Sequence, residues 1–570
     1  MAGEVVNGLM RFGMVLVGLV GLGSAQAGTV YVNGKIVTLD GRDRIAEAMV
    51  VEGERIVAVG GNEEMRKLAE TVVDLGGKMV VPGFIETHCH SIGATRAELA
   101  GPYKELSSIA EIQGWVRERA KTVPKGEWIE VPRNEITRLK ERRFPTPEEL
   151  DAATMEHPVL YVAVTKSVLN KAGWKALGVT GDKSQVSGGE VLWEDGRPVL
   201  MRGGLATVRA LMNLPPAPKV EVVRAKLKEL LGIYNSVGIT SIFERATDRA
   251  GFELFRDMAA KQELTTRMRA TFRFTAKDAA GAEGYIKKLG LKPGEGDDWV
   301  RATCMKITVD GGIHWGTTWL SEPHGEKRAA FYRNSDPAYE GEHYYSPAQM
   351  REVFGAVNRL GWPMSAHVTG DGGAMEVLRA VGDVAKEQPN MKERRFNLIH
   401  CYFPDAAMAA LAKEVNAGVD TQEYLFYRDV DFIAKIYGKA WAERFLGLKT
   451  WVDAGVPVAI NSDHMIGFDP NHAMNSFNPA LMLYCAVTRK NDFGEVHGPA
   501  QRLSRLDALR TVTQWAAWLS FDEQKLGTLE AGKLADFVVL DRDYLTCPEV
   551  EIKEMRPVMS VLGGKVVWGL

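Results

Sequence analysis

The stretch Pro82-Gly83-Phe84-Ile85-Glu86-Thr87-His88-Cys89-His90 runs an apolar strand directly into two histidines one residue apart. Alternate residues of a strand point to the same side, so His88 and His90 stand next to each other. Two imidazoles at a strand's C-terminal end can ligate one ion. In a barrel of parallel strands that end is also the active-site mouth. The competing reading is a pair of chance histidines on a loop. It is weakened by the strand that leads into the pair and by a total of only 11 His in the chain.

Downstream of this stretch, apolar strand-like runs alternate with amphipathic helical stretches, a pattern that predicts parallel strands with crossover helices. The candidate strands are Met79 to Ile85, Gly238 to Phe243, Met268 to Phe274, Thr303 to Val309, Pro363 to His367, Phe396 to Ile399, Gly418 to Thr421 and Pro457 to Asn461. They match an α/β fold of the (β/α)8 TIM-barrel kind over residues 81–532. The interval after the first strand is too long for one helix. It predicts an insertion lobe over about residues 97–219, whose Trp128, Pro145, Pro147, Trp174 and Pro215-Pro216 suit a folded cover on the barrel mouth better than a linker.

Short alternating strands recur only at the two ends, in Val30 to Val37, Ala48 to Val51, Arg55 to Val59, Asp536 to Leu540, Val558 to Val561 and Lys565 to Trp568. Neither piece alone can bury a face. The expectation is one small β-sandwich made by both termini, residues 28–80 and 533–570.

Further polar residues end or interrupt the apolar runs: Lys306 in Cys304-Met305-Lys306-Ile307, His367 in Ser365-Ala366-His367-Val368, His400 in Leu398-Ile399-His400-Cys401, and Asp463 after Val458-Ala459-Ile460-Asn461-Ser462. Singly, such histidines are more often satisfied core residues, and such a lysine is salt-bridged or snorkelling. Burying each is costly, so their recurrence at the same end of successive strands favours one shared polar site.

This set in this order resembles the amidohydrolase superfamily, especially its amidohydrolase-3 branch. Gly527-Thr528-Leu529-Glu530-Ala531-Gly532-Lys533-Leu534-Ala535-Asp536-Phe537-Val538-Val539-Leu540 near the C-terminus also carries the likeness, which spans nearly the whole mature chain. The resemblance implies a barrel with a terminal β-sandwich and one or two divalent ions. His88 and His90 would hold one ion, His367 and His400 the second, and a carbamylated Lys306 would give one oxygen to each. Asp463 would contact metal, take the proton from a bridging water and return it to the leaving amine, while the resulting hydroxide attacks a metal-polarised carbonyl. Histidine with carboxylate or carbamate suits zinc best, and manganese, iron, cobalt or nickel could take the same ligands.

The chain also departs from the pattern. Many relatives place a histidine before an Asn-Ser-x-Ala-Leu stretch where this chain reads Val164-Thr165-Lys166-Ser167-Val168-Leu169-Asn170, and many have Gln-Pro where it has Gln422-Glu423. His464 directly follows Asp463 and is a candidate either for binding substrate or for facing solvent. Glu244, Asp310, His314 and Trp315 are further candidates for substrate binding. Glu244 and Asp310 read equally well as structural partners of an arginine or a loop, and Trp315 as packing. The segments Tyr339 to Tyr345 and Tyr424 to Tyr427 suggest an apolar rim.

Composition sets bounds on function. A chain of 570 residues with 45% hydrophobic and 25% charged residues is globular, and its net charge of -3 offers no basic field for nucleic acid. A small-molecule substrate is the default expectation, with homo-oligomerisation left open. Five scattered cysteines make no disulfide framework and read as packing residues, mostly buried. Residues 1–27 carry one basic residue, a short apolar run and Ala25-Gln26-Ala27, a secretory signal whose true start reads as Met10. The rival, a membrane anchor, falls short of the roughly 20 apolar residues that a span needs. The location expected is periplasmic or secreted, with no stable membrane insertion after cleavage.

The function expected is hydrolysis of a carbon–nitrogen bond in an amide, an N-acyl or N-formyl compound, or a cyclic imide. One alternative is a deaminase on the same scaffold, against which Lys306 argues. The other is a non-catalytic periplasmic binding or regulatory relative, against which the complete ligand set argues.

Overall fold

The computed structural model describes residues 28–179 and 186–569, so the expected signal over 1–27 lies outside the described residues. Eight parallel strands form one sheet in sequence order: β1 Phe84–Cys89, β2 Ile239–Thr247, β3 Arg267–Arg273, β4 Val300–Thr308, β5 Met364–Val368, β6 Asn397–His400, β7 Gly418–Thr421 and β8 Val458–Ile460. Their outward apolar residues, such as Met268, Ala270 and Phe272 of β3, are fully buried in the main core that the surrounding helices complete.

The curl of the sheet brings β8 back to β1. Just beyond β8, the His464 carbonyl accepts a bond from His90 N at 2.8 Å, and Cys89 and His464 form a parallel bridge. Below this, the Glu86 carboxylate accepts from Ser462 N and from Ser462 Oγ at 2.8 Å. The seam is therefore closed by a carboxylate and one bridge in place of a full ladder.

The expected first strand, Met79 to Ile85, is in fact two strands. Met79–Pro82 pairs with Lys35–Val37 and Phe537–Leu540 in a six-stranded sheet built from both ends of the chain, and β1 begins only at Phe84. Gly83 is the joint. A Cβ there would stand 2.2 Å from Thr240 Oγ1, so only glycine lets the chain pass this close to β2. The chain thus passes from one sheet to the other at Pro82-Gly83. A second, four-stranded sheet of N-terminal strands includes Thr29–Val32 and Ala48–Glu52.

Between β1 and β2 lies a five-stranded sheet containing Ile129–Glu130, Val159–Ala163, Lys166–Leu169, Gly189–Glu194 and Arg197–Gly203. It has its own small core around Leu160, Leu169, Trp174 and Met201. Arg138 from this segment reaches Asp429 at 2.9 Å, on the helix Glu423–Ile436 that follows β7, and so ties the inserted sheet to the barrel.

Buried ion pairs brace the barrel: Arg245 of β2 meets Asp420 of β7 across it at 2.7 Å, and Arg269 and Arg267 of β3 hold Asp522 and Asp536 of the C-terminal segment, each at 2.6 Å. All five cysteines are free, and all but Cys547 are buried. Among the described residues, no helix is long and apolar enough to cross a membrane.

Candidate metal centre

His88 and His90 end β1, Lys306 lies on β4, His367 on β5, His400 ends β6, and Asp463 follows β8. The topology brings all six to the wall of one cavity of about 540 Å³ at the C-terminal mouth of the barrel. That volume lies within the range of small-molecule sites.

The donors are spaced as ligands. Asp463 Oδ1 is 3.3 Å from His88 Nε2 and 3.2 Å from His90 Nε2, and Lys306 Nζ is 3.2 Å from His88 Nε2. A tetrahedral ion with nitrogen and oxygen bonds of about 2.0–2.1 Å requires donors about 3.3 Å apart. His88, His90 and Asp463 each offer one donor atom to a common centre.

His367 and His400 make a second pair, with His400 Nε2 2.6 Å from His367 Nδ1. Their outer nitrogens decide which tautomer each ring holds. His367 Nε2 lies 2.8 Å from the Gly311 carbonyl, which can only accept, so the proton is on Nε2 and Nδ1 carries a lone pair. For His400 the logic runs through a chain that starts at the acceptor-only carboxylate of Asp420. Asn461 Nδ2 donates to that carboxylate, and Gln422 Nε2 donates to Asn461 Oδ1 at 2.9 Å. Gln422 Oε1 therefore faces His400 Nδ1 at 2.6 Å and fixes the proton there, leaving a lone pair on Nε2. Two lone pairs this close repel one another unless a cation draws both.

Protonation does not relieve the repulsion. Burial, followed by the positive charges of neighbouring groups, holds His367 and His88 well below the usual imidazole range. Burial also lowers His400, to about 4. Lys306 is brought down to about 7, chiefly by burial. Burial pushes Asp463 upward, but the hydrogen bond from His90 and the charges of His90, His400 and Lys306 outweigh it and leave the carboxyl at about 2. At neutral pH the His88, His367 and His400 imidazoles are thus neutral and Asp463 is a carboxylate, beside a half-neutral amine, a donor set that suits divalent cations.

The backbone is strained here too. His400 and Asp463 sit at φ of +80° and +51°, and Ala246 and Val164, also on the cavity wall, at +75° and +48°. Non-glycine residues seldom adopt this region, and such strain gathers at functional sites.

The five candidate substrate residues separate. Asp310 and Trp315 line the cavity. The Asp310 carboxylate is already engaged, accepting from Thr369 N at 2.8 Å, Gly370 N at 2.9 Å and Trp319 N at 3.1 Å, so it clamps the loops after β4 and β5. The other three do not reach the cavity wall. Glu244 accepts from Ser91 N at 2.8 Å and from Ser91 Oγ, anchoring the helix that starts just after His90. His314 turns to Asp429 at 3.1 Å. His464 is fully buried and neither faces solvent nor opens on the cavity, with Nδ1 at 2.7 Å from Tyr234 OH and Nε2 at 2.6 Å from the Gly467 carbonyl.

Tyr344 and Tyr345, from a segment expected to form an apolar rim, line the cavity, as do Arg273, Phe274, Lys277, Val164 and Thr165, which sequence reasoning had not singled out for it. Arg273 carried a usable signal. It ends β3 in step with Arg269 and Thr271, on the face opposite the outward-packed Phe272.

A parallel barrel with histidine, lysine and carboxylate donors gathered at its mouth suits a divalent ion. The sequence matches the profile of the Amidohydrolase family over residues 71–568, and the chain belongs to that family. It is a metal-dependent amidohydrolase, acting on carbon–nitrogen bonds other than peptide bonds. N-substituted formamide deformylase of Arthrobacter pascens is 23% identical over 557 residues, covering 94% of this chain and 97% of its own. An uncharacterized metal-dependent hydrolase from Pyrococcus furiosus superposes with a TM-score of 0.64 at 21% identity, covering 91% of this chain and 100% of that one. A second, from Pyrococcus horikoshii OT3, gives 0.67 at 19% identity, with coverage of 92% and 99%.

Proposed function

We propose that the protein hydrolyses the C–N bond of a small N-acyl, N-formyl or cyclic imide compound at a centre held by His88, His90, Lys306, His367, His400 and Asp463. The observation that carries this reading is the pair of lone pairs on His367 and His400, 2.6 Å apart on the same cavity as the His88, His90 and Asp463 group. Divalent ions bound there, zinc first among them, supply the Lewis acidity that polarises a carbonyl and eases the deprotonation of water.

The chain's own groups move the protons. Asp463 Oδ1 is buried and makes no hydrogen bond among the described residues beyond its approach to His88 and His90. It takes the proton of the attacking water and returns it to the departing nitrogen, which amide cleavage requires because a free amide anion is a poor leaving group. Lys306 enters as a carbamate. With its amine near neutrality it adds carbon dioxide, forming an N–C bond and releasing one proton, and the resulting anion offers two oxygens where an ammonium would repel cations. The inserted sheet covers the mouth, its Val164-Thr165 turn forming part of the cavity wall.

The test is to load the purified chain with zinc and offer a panel of N-formyl amines, N-acyl amino acids and cyclic imides. The name of the deformylase relative puts N-substituted formamides first in that panel. Asp463→Asn should lose roughly 10²–10⁴-fold in kcat on whichever compound is cleaved. Full activity in that variant would remove Asp463 from the proton path.

A further inference from the structure

We infer that the substrate of this site carries a carboxylate, and that Arg273 is the residue that binds it; the inference deepens the hydrolase reading and rests on it. Arg273 ends β3, and its Cα pairs in register with that of Lys306 on β4. Along β3, Arg269 and Thr271 share its parity, and Arg269 points inward to Asp522 at 2.6 Å. Arg273 therefore emerges on the inner wall of the mouth, one strand away from the metal ligands. It shares the cavity wall with Lys306 and Tyr345.

The charges on the cavity wall do not balance. Its carboxylates are Asp310 and Asp463, the first spent on backbone N–H groups and the second on His88 and His90. Arg273 is exposed at the cavity rim, and among the described residues it forms no ion pair with a carboxylate. Lys277, the neighbouring cation, is already committed. Its ammonium donates to the Tyr344 carbonyl and sits 3.6 Å from the centre of the Tyr345 ring. What remains is a planar guanidinium open to solvent at the cavity rim, its donors free for a ligand, beside Phe274, Tyr344 and Tyr345. That arrangement suits a ligand with an apolar body and a planar, bidentate anion. An N-acylated amino acid has both, and its amide lies a short reach from its carboxylate.

The experiment is calorimetric titration of the zinc-loaded full chain with 3-phenylpropionate and with its neutral match, 3-phenylpropionamide. Wild type, Arg273→Gln and Arg273→Lys are compared, with melting curves to show that each is folded. The carboxylate should bind at least roughly tenfold more tightly than the amide in wild type, as a charge-assisted hydrogen bond implies. That preference should vanish in Arg273→Gln and survive in part in Arg273→Lys, which keeps the charge and loses the fork. Equal or absent binding of the two probes to wild type overturns the inference. So does a preference that persists in Arg273→Gln, since the carboxylate would then be sitting on the metal. Cleavage of N-formylphenylalanine against N-formylphenethylamine is followed in parallel. If binding depends on Arg273 but neither compound is cleaved, the hydrolase reading fails and the carboxylate site stands.

Discussion

His400 Nε2 and His367 Nδ1 face each other across 2.6 Å with a lone pair on each, and the groups behind them keep it so. For His400 the guard is Gln422, oriented by Asn461, which is oriented in turn by the Asp420 carboxylate. Burial raises the Asp420 pKa on balance, and Arg245, 2.7 Å away, opposes that rise. A chain that starts at an ion pair deep in the barrel thus sets the tautomer of a ligand at its mouth.

Gln422→Leu should therefore weaken metal binding roughly 10–100-fold, the usual effect of losing such an outer partner. Gln422→Glu, which still accepts from His400 Nδ1, should keep most of the affinity. Competition against a chelator measures both, and an unchanged affinity in Gln422→Leu would show that the chain does not orient His400.

Lys306 predicts a dependence on carbon dioxide and pH. Burial lowers its pKa to about 7, so the neutral amine that can be carbamylated predominates above that pH and disappears below it. Metal reloading of the stripped protein should be faster with added bicarbonate above neutrality, and the benefit should fade as pH drops through about 7. Reloading that ignores bicarbonate at every pH would argue against the carbamate.

Asp429, on the helix after β7, holds Arg138 of the inserted segment at 2.9 Å and His314 of the loop after β4 at 3.1 Å. Burial alone would raise its pKa, but Arg138 and His314 overcome that and hold the carboxyl far below the ordinary value of 3.8. In the unfolded chain the group protonates near that ordinary value while the folded chain keeps it ionised. Its contribution is thus complete above about pH 4 and is lost as the solution is made more acidic. Asp429→Asn should cost about 3 kcal/mol at neutral pH, because it strands a buried arginine, and should make acid unfolding less steep. Denaturant melts at several pH values check both.

Val164 holds φ of +48° in the two-residue turn between Val159–Ala163 and Lys166–Leu169, where a β-branched residue is out of place. Val164→Gly should raise stability by about 1 kcal/mol through relief of that strain. It should also raise KM, because the side chain is part of the cavity wall. A higher melting temperature with unchanged KM would make the strain incidental.

The sequence made the mouth of the barrel more readable than its surroundings, for a physical reason. Each of His88, His90, Lys306, His367, His400 and Asp463 interrupts or ends an apolar run, and a polar group there needs a shared purpose that local sequence can suggest. Glu244, His314 and His464 break the pattern in the same way, yet their partners are Ser91, Asp429 and Tyr234, distant in sequence and visible only once the chain is folded. The run from Met79 to Ile85 looked continuous because both sheets bury valine-rich strands. Pro82-Gly83 was the one local mark that the chain changes sheets within it. Arg273 was passed over because an arginine ending a strand more often faces water; it is exposed here too, and only its register with Lys306 sets it on the cavity wall.

The central claim is a metal centre in which Lys306 is a bridging ligand, and metal content per chain tests it most directly. Plasma mass spectrometry on wild type, Lys306→Ala and Gln422→Glu should find about two zinc-like ions per chain in wild type and a clear loss in Lys306→Ala, with Gln422→Glu close to wild type. A single ion in wild type that survives Lys306→Ala unchanged would contradict the bridged centre and leave Lys306 outside the ligand set.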